Sequence, residues 1–148
     1  MKRFYPAALL LVLALPARAD TVRPLTDAET LKACGECHMA FQPGFLPARS
    51  WNRIMDTLTD HFGDNAGMAA DKTARIRKVL VEGAADERAK TLRGLDANAV
   101  PLRLTETPRF VRKHDRIPER VWKRPDIVTK SNCVACHTGA EKGIYEDD

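Results

Sequence analysis

Apolar residues along this chain fall into three patterns, and each predicts a different kind of segment. Ala7 to Leu15 is an unbroken apolar run between Pro6 and Pro16. Trp51, Ile54, Met55, Leu58 and Phe62 recur at helical spacing, which predicts a helix capped by Ser50 with that stripe turned inward. Asp71 to Glu82 predicts a second helix, with Ile76, Val79 and Leu80 inward and Gly83 as its stop. Ala84 to Leu95 is a weaker helical stretch that ends in Gly94 and polar residues. From Asp96 to Val128 the period is lost. Pro101, Pro108, Pro118 and Pro125 fall at close intervals and forbid a long helix, so an extended wrap is expected there. The fold class is therefore mainly α. A helical unit over residues 20–93 should be followed by a sparsely structured unit over residues 94–148.

The first apolar run has its own context. Lys2 and Arg3 precede it and Ala17-Arg18-Ala19 follows it, the order of a secretory signal peptide cleaved after Ala19. A membrane-spanning helix needs roughly 18 or more apolar residues. No later stretch comes near that length, so the mature chain is expected not to be membrane-embedded. Export without a eukaryotic cue points to the bacterial periplasm. Of the 24 Lys and Arg residues, Lys2, Arg3 and Arg18 leave with the leader, so 21 remain against 20 acidic residues. That near-neutral balance gives no reason to expect nucleic acid as a partner.

Four cysteines in an exported chain first suggest disulfides, but their arrangement says otherwise. Cys34-Gly-Glu-Cys37-His38 and Cys133-Val-Ala-Cys136-His137 are both CxxCH, the attachment signature of c-type haem. Positions i, i+3 and i+4 share one face of a helical turn. Two thiols so placed can form thioethers with the vinyl groups of one haem edge, and the imidazole can rise over the ring to bind iron. Thr26 and Glu29 form a capping box that would start a helix running into Cys34. Ser131 or Asn132 would cap a helix carrying the second motif. A redox dithiol does not ask for the following histidine. Paired CxxC zinc knuckles sit about 15–20 residues apart, whereas Cys34 and Cys133 are 99 apart. As disulfides, both pairs would be tight local loops that staple nothing distant.

His38 and His137 each supply one axial ligand, and only His61 and His114 remain for the other two positions. His61 follows Leu58 by three and Ile54 by seven, on the inward stripe. His114 lies in a charged segment ahead of the second motif. His61 is 23 residues after His38, and His114 is 23 residues before His137. Loop closure prefers these local pairings by only about 1 kcal/mol per haem, so the crossed pairing stays open. Met68 is the credible rival ligand; Met55 belongs to the core stripe, and Met39 follows a ligand too closely to reach the opposite face. Arg103, Arg109, Arg112, Lys113, Arg116, Arg120, Lys123 and Arg124 form a basic stretch. It reads as a solvated surface, as charge compensation for haem propionates, or as a docking face for an acidic redox partner.

Beyond the generic motif, several blocks resemble the small bacterial dihaem cytochrome c family. They are Cys34 to Gly44 continuing through Leu46 to Trp51, His61-Phe62-Gly63, Thr107 to Asp115 with Ile117-Pro118, and Ser131 to His137. The resemblance implies an N-terminal domain similar to class I cytochromes c and a sparsely structured C-terminal haem domain. It implies two covalently bound haems with paired histidines and low potentials. Cys34, Cys37, Cys133 and Cys136 would be the thioether sites, and His38, His61, His114 and His137 the iron ligands. It also implies a place between a membrane b-type cytochrome and a soluble periplasmic haem protein. With both irons saturated, electron transfer is expected rather than catalysis, and the carrier is expected to be a monomer. The alternatives are a haem peroxidase or reductase with a displaceable distal ligand, a gas or redox sensor that swaps one ligand, and a dihaem subunit of a periplasmic reductase.

Overall fold

The computed structural model describes residues 20–86 and 88–146. The expected leader therefore lies outside the described residues, as does the end of the acidic tail. The regular elements are β1 (Asp20–Thr21), α1 (Ala28–Cys34), α2 (Ala48–Asp56), α3 (Ala70–Glu82), α4 (Pro108–His114), α5 (Glu119–Trp122) and β2 (Ile144–Tyr145). Single 3₁₀ turns join several of them. No described helix is long and apolar enough to cross a membrane.

The core sits where α2 packs on α3. Trp51, Ile54 and Met55 from α2 meet Ile76 and Leu80 from α3, with Leu46 beneath them. Leu102 and Leu104 lean on this cluster from beyond residue 93, so the N-terminal core also takes side chains from the second half. The Trp51 indole donates to the Pro43 carbonyl at 2.7 Å, which satisfies the one polar atom that this aromatic brings inside. Met68 packs against the same cluster. α3 ends at Gly83 as its sequence predicts. A side chain there would meet the Pro43 ring, with Cβ only 2.9 Å from it.

Four local expectations need correcting. First, α1 is capped by Asp27, not Thr26: its Oδ1 accepts from the Thr30 backbone N–H at 2.8 Å and the Thr30 hydroxyl at 2.6 Å. Glu29 turns away to pair with Arg75 of α3. Second, Ser50 lies inside α2 and is fully buried; Pro47 precedes the first turn. Third, α2 stops at Asp56, where the Thr57 hydroxyl bonds back to the Arg53 carbonyl at 3.0 Å. A 3₁₀ turn over Leu58–Asp60 follows. Phe62 thus leaves the inward stripe: it is exposed, has a φ of 60°, and lies under the Arg103 guanidinium at 4.0 Å. Fourth, the helix expected over residues 84–95 is one 3₁₀ turn at Lys90–Leu92. Asp86 accepts from the Arg88 N–H, an aspartate turn that competes with the helix.

The proline-rich half is less extended than its composition predicts. Pro108 is the first residue of α4 and Pro118 immediately precedes α5. A proline at a helix start loses nothing, because its missing N–H would have no helical partner anyway. Thr107 caps α4 through Oγ1. The chain then returns to its beginning. β2 pairs antiparallel with β1, Asp20 opposite Tyr145 and Thr21 opposite Ile144, and Val22 N–H donates to the Gly143 carbonyl at 2.8 Å. Gly143 has a φ of 74°, and a Cβ there would lie 2.0 Å from the Val22 carbonyl oxygen. Only glycine admits the first strand at this distance.

Two histidine pairs, each beside a CxxCH motif

The first motif begins where α1 ends. Cys34 is the last helical residue, half-buried against the core, and Cys37 is exposed on the turn that follows. His38 comes next, its Nδ1 2.7 Å from the Met39 carbonyl and its ring stacked on Phe41 at 4.9 Å. His61 reaches the same place from the loop after α2. A backbone bridge to Asp64 closes that loop, with His61 N–H donating to the Asp64 carbonyl at 2.7 Å. The two rings lie 6.2 Å apart, centroid to centroid, with their planes 27° from parallel. Burial and the neighbouring His38 hold the His61 pKa below the ordinary imidazole value. That favours the neutral ring, the form that binds a metal.

The second motif is not helical beyond one turn. Cys133–Ala135 is a 3₁₀ turn, and neither Ser131 nor Asn132 caps a helix there. Asn132 instead donates through Nδ2 to the carbonyls of Asp126 and Ile127. His137 has its Nδ1 3.0 Å from the Glu146 carbonyl, and its ring meets Tyr145 edge-on at 5.5 Å. His114 is the last residue of α4. Its Nδ1 is 2.8 Å from the Phe110 carbonyl one turn back, and its ring stacks on Phe110 at 4.0 Å and faces Trp122 at 5.9 Å. The His114 and His137 rings lie 6.1 Å apart with planes at 88°.

These distances test what could sit between the rings. An imidazole nitrogen binds a transition metal at about 2.0 Å, so two such bonds in line plus half a ring on each side come to roughly 6 Å. Both pairs have that spacing. Among the described residues no three His, Cys, Asp or Glu side chains converge to hold a metal. A tetrahedral zinc site is thus without its ligands, whereas a porphyrin brings four nitrogens and asks for only two more. In three of the four histidines Nδ1 faces a backbone carbonyl, which leaves Nε2 for the metal and fixes the ring's direction. Burial pushes the Cys133 thiol up to about 11 and also raises that of Cys34, so the first thiol of each motif shifts opposite to the lowered values of redox-active cysteines.

Sequence reasoning missed the groups that join the two halves. Gln42, four residues after His38, is fully buried. Its amide donates to the carbonyls of Ala140 at 2.8 Å and Glu141 at 3.3 Å, and its oxygen accepts from the Tyr145 hydroxyl at 2.5 Å. A lone glutamine between Phe41 and Pro43 was the available signal. Asp20 was read only as the residue after the cleavage site. Its carboxylate accepts from Arg109 and Lys113, each at 2.8 Å. Those two cations of the basic stretch therefore already have a carboxylate partner.

The profile of the family described as Dihaem cytochrome c matches residues 30–145. Three solved structures are similar. The diheme cytochrome c from Rhodobacter sphaeroides is 41% identical, covers 84% of this chain and all of its own, and superposes with a TM-score of 0.78. A crystal structure of DHC purified from the same organism is 39% identical over 82% of this chain and 99% of its own, TM-score 0.69. The diheme cytochrome type c from Shewanella baltica is 41% identical over 80% and 86%, TM-score 0.69. Among curated proteins none matches the chain significantly.

Proposed function

Since this chain belongs to the dihaem cytochrome c family and carries two covalently bound haem c groups, we propose that it is a single-electron carrier of the periplasm rather than an enzyme. The observation that carries this reading is the pair of imidazole couples, each about one axial iron site wide. In it, Cys34 and Cys37 anchor one haem and Cys133 and Cys136 the other. His38 with His61 would hold the first iron, and His114 with His137 the second.

Each haem, when bound, supplies a one-electron iron couple. The side chains do the rest. Two imidazoles on each iron would leave no position for oxygen, peroxide or another substrate. The carbonyls of Met39, Phe110 and Glu146 hold three of the rings in orientation and raise their basicity. Phe41, Phe110 and Trp122 lie against those rings. The physiological place proposed is between a membrane b-type cytochrome and a soluble haem-protein acceptor, with the chain acting as a monomer. The test is a low-temperature electron paramagnetic resonance spectrum of the oxidised protein. Two low-spin signals are expected; a substantial high-spin signal from either iron would overturn the reading.

One observation favours a second reading. Among the described residues, His61 alone of the four histidines has no hydrogen-bond partner on its ring, and it sits on a loop beside a residue of positive φ. A distal ligand held so loosely is displaceable, which would make the first haem a binding site for a diatomic gas, as in a sensor, or for peroxide, as in a peroxidase. Carbon monoxide binding to the reduced protein discriminates the two readings.

A further inference from the structure

α4 presents His114, yet little in the helix itself explains why it holds still. It has seven residues, none of them fully buried. Isolated helices shorter than about 12–15 residues are marginal in water. Arg109 and Lys113 are one turn apart and share a face of this helix. Both donate to one oxygen of Asp20, at 2.8 Å each. The Arg109 side chain in this cluster is four-fifths buried, so the contact is not a fully solvated surface pair. A single carboxylate gripping two successive turns fixes both the rotation and the height of the helix, and His114 is the residue next to Lys113.

Asp20 also touches the other wall of the same site. Its backbone pairs with Tyr145 in the two-stranded sheet. The Tyr145 ring lies against His137, and the carbonyl of the next residue, Glu146, orients the His137 ring through Nδ1. The sheet exists only because Gly143 lets the first strand approach. One residue at the start of the described chain thus holds α4, which carries His114, and pairs with β2, whose Tyr145 ring and following carbonyl contact His137, while His38 and His61 are held by other groups.

We propose that Asp20 is a positioning residue for the second haem centre, setting the mutual orientation of His114 and His137 by clamping α4 to the C-terminal strand. The proposal rests on the reading of those two histidines as iron ligands. The experiment uses the full holoprotein, with Asp20→Asn, Asp20→Glu, Arg109→Gln and His114→Ala compared with the parent. The mass of each mature chain checks that processing is unchanged. Asp20→Asn is expected to shift one low-spin resonance and one reduction midpoint and to leave the other haem's values in place. Arg109→Gln, which removes the contact from its other side, should reproduce that pattern, and Asp20→Glu should restore it in part. Unchanged resonances and midpoints in Asp20→Asn would overturn the proposal. So would equal movement of both haems, or a lower melting temperature with no spectral change, since these report a general structural role. His114→Ala separates the two levels: if it leaves both low-spin signals intact, the ligand assignment has failed, whatever Asp20 does.

Discussion

The imidazole planes of His114 and His137 stand at 88°, close to perpendicular, whereas those of His38 and His61 are 27° from parallel. Axial imidazoles act on the iron d orbitals perpendicular to their own planes. Crossed planes treat the two π-type orbitals alike and leave them nearly degenerate; aligned planes split them. The oxidised protein is therefore expected to give two distinguishable low-spin resonances, one rhombic and one strongly anisotropic with a large highest g value. His137→Ala should remove the anisotropic one and His61→Ala the rhombic one. Two identical rhombic signals in the parent would contradict the orientations.

Gln42 answers three polar groups at once inside the molecule. Replacing it by leucine keeps the volume and strands the Ala140 carbonyl and the Tyr145 hydroxyl, and a buried group left without a partner costs about 1–3 kcal/mol. Chemical denaturation of Gln42→Leu should show a loss in that range with both haems still attached. A change below about 0.5 kcal/mol, within what ordinary surface substitutions give, would mean that these groups find water instead.

Gly143→Ala places a methyl carbon against the Val22 carbonyl. Overpacking of this kind costs typically about 1–3 kcal/mol, here with the loss of β1–β2 pairing. Hydrogen exchange at Val22, whose N–H bonds to the Gly143 carbonyl, should accelerate, while amides in α3 stay protected. Parent-like protection at Val22 would refute this.

Val128 is β-branched, 81% exposed and has a φ of 61°. The Thr129 N–H donates to the Ile127 carbonyl across it at 2.6 Å, a three-residue turn of the strained hand. Glycine, with no Cβ, adopts a positive φ without this strain, which costs other residues on the order of 1–3 kcal/mol. Val128→Gly should stabilise the protein by about 1 kcal/mol in thermal or denaturant unfolding; a destabilised variant would show that the valine packs on something.

The Lys113 hydrogen bond, together with the charge and hydrogen bond of Arg109, holds the Asp20 carboxyl below its ordinary value of 3.8. The folded state therefore binds this proton less readily than the unfolded chain does. The stabilisation is present above the ordinary carboxylate pKa and fades as pH falls through the lower folded value. The difference in unfolding stability between the parent and Asp20→Asn should be flat above about pH 5 and shrink below it. A difference that grew on acidification would have the wrong sign for this ion pair.

What the sequence made legible follows its local periodicities. The Trp51–Met55 stripe, the Ile76–Leu80 face and the Gly83 stop are read within a turn or two of chain, and they appear where the pattern puts them. The two CxxCH motifs are local as well. The helix expected at residues 84–95 failed because the Asp86 side chain accepts from the Arg88 amide, as Asp96 does from the Asn98 amide just beyond the segment, and a hydrophobicity pattern does not register that competition. The inward placement of Phe62 failed because one threonine hydroxyl ends α2 early. The prolines do exclude a long helix, but the extended wrap expected between them gives way to two short helices, one beginning at Pro108 and one directly after Pro118. Gln42 and Asp20 were illegible because their partners lie far along the chain: 98 residues separate Gln42 from Ala140.

That separation bears on the timing of maturation. His38 and His61 are close in the chain, and α1, α2 and α3, the helices around them, all lie in its first half, with Leu102 and Leu104 the later additions to their core. The second pocket closes through Gln42 with Ala140 and through Asp20 with Tyr145, contacts whose loop entropy must be met before they return any stabilisation. A polypeptide delivered from its N-terminus can therefore assemble most of its first core while the last stretch is still arriving. Its second pigment has to wait for both ends of the thread to meet.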